Sequence, residues 1–249
     1  MLDFRFEKLR EVKNLKNNKQ LATNNEKPCM PTKKAKKPWP TKAVMEQIYN
    51  QNLWGGNPGE FYSGDGSHDS TLVNPYISSV SQFLKSFNSP PTVLDLGCGD
   101  FAIGKQLVPY TREYIAVDIV EDLITWHQKN NVLENVRFHC LDIAKDSLPQ
   151  ADCVILRQVL QHLSNEEIKA IVKKLSNYKF VVITEHLPEG DFEPNIDILS
   201  GQGIRLKKQS GVDLLAPPFL LKVKEAKELV SIPEINRKGM IKTFFYEPA

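Results

Sequence analysis

Val93-Leu94-Asp95-Leu96-Gly97-Cys98-Gly99-Asp100-Phe101-Ala102-Ile103-Gly104 decides the fold of this chain. An apolar strand ends in an acidic residue, passes through two glycines with one residue between them, and opens into a helical pattern. Glycines at a strand-to-helix turn let a ligand approach the backbone, and the first N–H groups of the helix point at whatever binds there. The spacing Gly97-x-Gly99-x-x-Ala102 also fits the dinucleotide fingerprint, so the glycines alone do not select a ligand. The carboxylates do. Asp95 and Asp100 bracket the turn, and an anion beside a pyrophosphate is a poor arrangement.

A ligand carrying an ammonium and a sulfonium is attracted there instead, and three later segments strengthen that reading. A second apolar run, Tyr114-Ile115-Ala116-Val117, ends in Asp118, ~20 residues on, where a strand-end carboxylate meets ribose hydroxyls. A third, Val136-Arg137-Phe138-His139-Cys140-Leu141, ends in Asp142, suited to accept from an adenine amino group. A fourth, Asp152-Cys153-Val154-Ile155-Leu156, leads into Arg157-Gln158-Val159-Leu160-Gln161-His162-Leu163. These four segments, in this order, resemble the class I S-adenosylmethionine-dependent methyltransferases, most closely the small-molecule branch. The resemblance covers roughly Thr92 to Glu185.

The resemblance implies a Rossmann-like α/β fold: a central, mostly parallel seven-stranded sheet with an antiparallel C-terminal hairpin and helices on both faces. It also implies roles. The backbone at Gly97, Cys98 and Gly99 holds the methionine part of S-adenosylmethionine, and Asp95 anchors its amino end. Asp118 takes the ribose hydroxyls; Asp142 and the backbone of Ile143 take the adenine; Ile119 and Gln158 sit beside the cofactor. The product is S-adenosylhomocysteine.

A chain of 249 residues with 41% hydrophobic content can bury one substantial α/β core. No apolar stretch approaches the ~18 residues of a membrane span, and Met1-Leu2-Asp3-Phe4-Arg5 lacks a signal-peptide layout, so a cytoplasmic protein is expected. The cysteines, Cys29, Cys98, Cys140 and Cys153, show no metal-type pairing, and three fall in or beside core strands. A net charge of +2 hides an asymmetry: Met1 to Lys42 carries twelve Lys or Arg against four Asp or Glu, which leaves the body acidic. Lys33-Lys34-Ala35-Lys36-Lys37 resembles a nucleic-acid or anionic-surface patch, but the asparagines and prolines around it favour a solvated linker. An acidic body is not built to follow phosphates, so nucleic acid is not the expected partner. An RNA methyltransferase that uses this basic tail is the alternative.

The expected organisation is a basic tail over 1–40 with a short amphipathic helix (Leu2, Phe6, Leu9, Val12, Leu15), then N-terminal helices and a lid over 41–91. The catalytic domain spans 92–249, with a substrate insertion at about 187–218. Thr41 caps a helix carrying Val44, Ile48 and Leu53. A second helix carries Tyr76, Ile77, Val80, Phe83, Leu84 and Phe87, with Pro75 in its first turn. Between them, Trp54 to Asp69 combines five glycines with aromatics and reads as a lid over the cofactor, with Tyr62, Gly64 and His68 as contact candidates. A helix over Ile168, Ile171, Val172 and Leu175 leads to strand Phe180–Thr184. Met240–Tyr246 forms the final strand, paired with Leu229–Ile232.

Methyl transfer from a sulfonium is an in-line displacement, so positioning dominates; an alcohol acceptor also benefits from a base near neutrality. His162, past strand four, and His186, past strand five, are the candidate bases. Asp191 to Pro218 is least like the generic domain and should select the substrate. Its Arg205, with Arg157 and His68, suggests an anionic or sugar-linked small acceptor and metal-free O-methylation. The chain has Arg157-Gln158 where catechol-type enzymes place a metal-binding carboxylate cluster. It also lacks the Pro-Pro-aromatic motif of nucleic-acid amino-methyltransferases after strand four. The stretches Phe61–Ser67, Arg157–His162 and Gly201–Arg205 are similar to bacterial methyltransferases of surface-polysaccharide biosynthesis, among them the capsular phosphoramidate group, which implies a glycan-precursor substrate.

Overall fold

The structure, a computed structural model, describes residues 39–234 and 239–249; the amphipathic helix and lysine patch expected in the tail lie outside the described residues. Among the described residues two helices come first, α1 (Thr41–Asn50) and α2 (Ser70–Lys85). Strand β1 (Thr92–Leu96), α3 (Gly104–Leu107), β2 (Glu113–Asp118), α4 (Glu121–Asn130), β3 (Val136–Cys140) and β4 (Cys153–Arg157) follow. Then come α5 (Asn165–Leu175), β5 (Phe180–Pro188), β6 (Val223–Glu234) and β7 (Gly239–Pro248).

The seven strands form one sheet in the order β3-β2-β1-β4-β5-β7-β6. The first five pair in parallel; β7 runs antiparallel between β5 and β6. Every residue of β1 is buried, as expected of a central parallel strand covered on both faces. The order reverses between β1 and β4, so a crevice opens at the carboxyl ends of these strands. Helix α5 buries Ile168, Ile171, Val172 and Leu175 against one face of the sheet; α2 buries Leu72, Tyr76, Val80 and Leu84 against the other. Ser164 caps α5 by a reciprocal arrangement with Glu167.

Several local expectations are corrected. Helix α1 starts without a side-chain cap, because Pro40 holds the capping position and Thr41 is the first helical residue, its hydroxyl donating to Glu167; Leu53 falls beyond the helix and is exposed. Helix α2 begins at Ser70 under an Asp69 cap, a turn earlier than expected, so Pro75 lies inside it. One lost backbone bond is tolerated because the buried face holds the helix. Cys140 is exposed at the end of β3. Strand β5 continues four residues past Thr184, because β7 supplies partners out to Pro188.

Candidate functional site

The turn after β1 is held from several sides. The N–H groups of Gly97 and Cys98 both donate to the Val117 carbonyl (2.8 and 2.9 Å), and Gly99 N–H donates to Asp118 Oδ2 (3.1 Å). Gly97 has φ +87°, and a Cβ there would collide with the Val159 side chain; at Gly99 it would collide with Ser63 Oγ. Beneath the loop, His127 on α4 donates Nε2–H to the Gly99 carbonyl (2.7 Å), while its Nδ1 accepts from the Asn131 amide (2.8 Å). Burial lowers the His127 pKa, in keeping with a neutral ring. Sequence reading missed His127. Its signal was its place on the α4 face shared with Leu123 and Ile124.

The Gly-rich segment between α1 and α2 lies on this loop and is latched to it. Asp100 Oδ2 accepts from Ser63 N–H and from His68 Nε2 (both 2.7 Å), and Asp100 N–H donates to Ser63 Oγ (2.8 Å). Tyr49 bonds the same Ser63 hydroxyl (3.0 Å), and Tyr62 stacks on the His68 ring at 4.4 Å. Trp54 and Phe61 pack against Tyr49 and the core. Asp100 is therefore occupied with this segment, and it is Asp95 and Asp118 that line the crevice between the strands.

The turn Leu160–His162 after β4 is gripped at both ends by buried charges. Glu185 accepts from the N–H groups of Leu160 and Gln161 (3.0 and 2.9 Å). Burial raises its pKa to about 8. Arg205 donates to the carbonyls of Leu160, Gln161, Leu163 and Ile196 and to Asn165 Oδ1. With its side chain 1% exposed and its donors committed, Arg205 does not reach the crevice. The substrate-binding role expected of Arg205 is corrected to one of holding this turn. His162 does face the crevice; Nδ1 lies 3.1 Å from the Gly201 carbonyl and Nε2 3.3 Å from the Gln161 amide nitrogen. His186 is buried within the β5–β7 pairing, 3.1 Å from Glu234, and does not line the crevice. Its expected role as a base is corrected for the same reason that β5 is longer than the sequence suggested.

The crevice is a cavity of about 1430 Å³. It is lined by Asp95, Gly97, Cys98, Gly99, Asp118, Ile119, Asp142, Ile143, Gln158, Tyr62 and Gly64, and by His68, Arg157 and His162. Gln202 to Ile204, Leu206 and Lys207 contribute from the segment after β5. Burial raises the Asp95 pKa to about 7, although the Tyr114 hydroxyl (2.8 Å) and Arg157 act in the other direction. Burial also raises that of Asp118, whose oxygens accept from Gly99 and Val120. Asp142 is paired with Lys145 (2.6 Å) and caps the following turn through Ala144 N–H. Arg157 is mostly buried over the Tyr76 ring, donates to the Gly66 carbonyl (2.5 Å), and has an Nε with no partner among the described residues.

Residues 93–178 match the family model of a methyltransferase domain. Among curated proteins the chain is similar to an uncharacterized RNA methyltransferase of Chlamydia pneumoniae, 26% identical over 159 residues. That match covers 57% of this chain but 39% of the relative, so the chain spans about two fifths of that protein's length. Its fold is similar to the Bradyrhizobium japonicum N-methyltransferase NodS with bound S-adenosylhomocysteine (TM-score 0.59, 13% identity, 83% of this chain, 100% of the other). It is also similar to magnesium protoporphyrin IX methyltransferase from Synechocystis with bound S-adenosylmethionine (TM-score 0.52, 16% identity, 85% and 98%). Residues 93–178 thus match a methyltransferase domain, set in a seven-stranded sheet whose fold is similar to that of solved methyltransferases with S-adenosylmethionine or its product bound.

Proposed function

We propose that the protein transfers a methyl group from S-adenosylmethionine to a small acceptor bearing an anionic or sugar-linked group, as a metal-independent O-methylation. The observation that carries the reading is the gathering of Asp95, Asp118 and Asp142 with Arg157 around one cavity at the sheet's switch point. The residues fit the cofactor. A buried carboxylate at Asp95 suits an ammonium, Asp118 suits vicinal hydroxyls, and Asp142 with the Ile143 backbone suits an adenine edge. Gln158, Cys98, Ile119, Tyr62 and Gly64 complete the wall.

When bound, the cofactor supplies an electrophilic methyl on a sulfonium. The chain's contribution is then to align, to exclude water and to hold the acceptor. Arg157 keeps one N–H, at Nε, without a partner among the described residues, and its planar guanidinium suits a phosphate or carboxylate on the acceptor. The names of the chlamydial relatives support a second reading, methylation of RNA, although this chain covers a minority of their length.

The test is transfer of tritiated methyl from S-adenosylmethionine into a bacterial lysate separated into RNA, protein and small-molecule or glycan fractions. Label in the last fraction, unaffected by RNase, is the expected result. RNase-sensitive label would replace this reading with the second one.

A further inference from the structure

We propose that His68 is the general base for a hydroxyl acceptor, with Asp100 as its positioning partner; this rests on the reading of the cavity as a methyl-transfer site. His68 Nε2 lies 2.7 Å from Asp100 Oδ2. A carboxylate only accepts, so Nε2 carries the proton and Nδ1 of the neutral ring carries the lone pair. Asp100 is itself fixed: it accepts from Ser63 N–H and Ala102 N–H, and its side chain is 9% exposed. Tyr62 stacks on the imidazole with rings 16° apart. Tautomer and ring position are thus set from two directions.

The reactive edge is open. The His68 side chain is 37% exposed and lines the cavity, and among the described residues nothing bonds its Nδ1. The other histidines near the site differ. His127 has both nitrogens engaged, His162 has polar atoms close to both, and His186 is sealed against Glu234. The titratable groups around His68 are Tyr62, Asp65 and Asp69 on its own segment, Asp100 on the glycine loop, and Arg157, which bonds the neighbouring Gly66 and Ser67.

His68 Nδ1 takes the hydroxyl proton as the acceptor oxygen bonds the methyl carbon and the carbon–sulfur electron pair returns to sulfur. The imidazolium pairs with Asp100 and later loses its proton to water. A phosphate or carboxylate oxygen is already ionised and has no use for this base. The dyad therefore narrows the acceptor to one that is methylated on a hydroxyl, with any anionic group held by Arg157.

Two measurements test this on the full chain. In nitrogen NMR of histidine-labelled protein with S-adenosylhomocysteine at pH 8, the signal lost in His68→Gln should report a ring protonated at Nε2 alone. A proton on Nδ1 overturns the dyad. His68→Gln keeps an amide donor for Asp100 and so keeps the latch. It should slow methyl labelling of whichever lysate fraction the wild type labels by about 10²–10⁴-fold, with affinity for S-adenosylhomocysteine unchanged. Added imidazole should restore part of the rate to His68→Ala. A rate that falls only as far as the affinity falls reduces His68 to a latch and sinks the proposal while methyl transfer stands. Wild-type label in RNA overturns the small-acceptor reading, and the same variants then judge the dyad on that label. Absence of label in every fraction overturns methyl transfer itself, and the NMR result alone decides the tautomer.

Discussion

Asp95 is the residue at which fold and ligand make opposite demands. It sits at the end of a strand buried along its whole length, where burial raises its pKa to about 7. An unfolded aspartate titrates near ~3.9, so from about pH 4 to about pH 7 the native state holds a proton that the unfolded chain has released. Ionising Asp95 therefore erodes stability as pH rises through that window. Asp95→Asn should gain melting temperature relative to wild type between pH 5 and pH 8; a constant difference in thermal scans would exclude this assignment. An ammonium bound at Asp95 requires the ionised form. Calorimetry of S-adenosylhomocysteine binding at pH 6 should then register a proton released to the buffer, and this release should vanish in Asp95→Asn. The sequence disclosed the carboxylate because it interrupts an apolar run. It could not disclose the Tyr114 hydroxyl, which comes from the neighbouring strand.

At the scale of elements, short segments are fixed by distant charges. The Leu160–His162 turn has its N–H groups on Glu185 and its carbonyls on Arg205, which arrive from β5 and from the segment beyond it. Arg205→Ala leaves the buried carbonyls of Leu160, Leu163 and Ile196 without their donor and should cost about 3 kcal/mol or more of unfolding free energy by denaturant titration. A variant of normal stability that lost only acceptor affinity would restore Arg205 to the substrate site. The Gly-rich segment between α1 and α2 depends on Gly99 in the same way. Gly99→Ala drives a methyl group into Ser63, so amide exchange across Phe61–His68 should accelerate while the strands stay protected. Unchanged exchange in this segment would show that the latch is not made. Parallel strands were legible because burial on both faces makes them apolar throughout. Arg205 and His186 were misjudged because a cation among glycines and a histidine after a strand read alike whether they face a cavity or a wall. Only long-range pairing separates the two.

In the whole molecule, the acidic body and the basic tail divide the possible functions between them. Every described cavity-lining residue lies in 41–241, so removal of residues 1–38 should leave affinity for S-adenosylhomocysteine unchanged; a large loss would give the tail a share in the site. Among the described residues no helix is long and apolar enough to cross a membrane. The order of strand and helix carried the architecture in the sequence, and the spacing of strand-end carboxylates carried the cofactor. The acceptor was not legible, because the loops around the cavity have no periodicity that would tie their side chains to one ligand. The cofactor site itself is probed by calorimetry of S-adenosylhomocysteine with wild type and Asp118→Ala. Binding to wild type that weakens by about tenfold or more (~1.4 kcal/mol) in the variant is predicted, because the vicinal hydroxyls lose their charged acceptor. No binding to wild type, or equal binding to both, would contradict it.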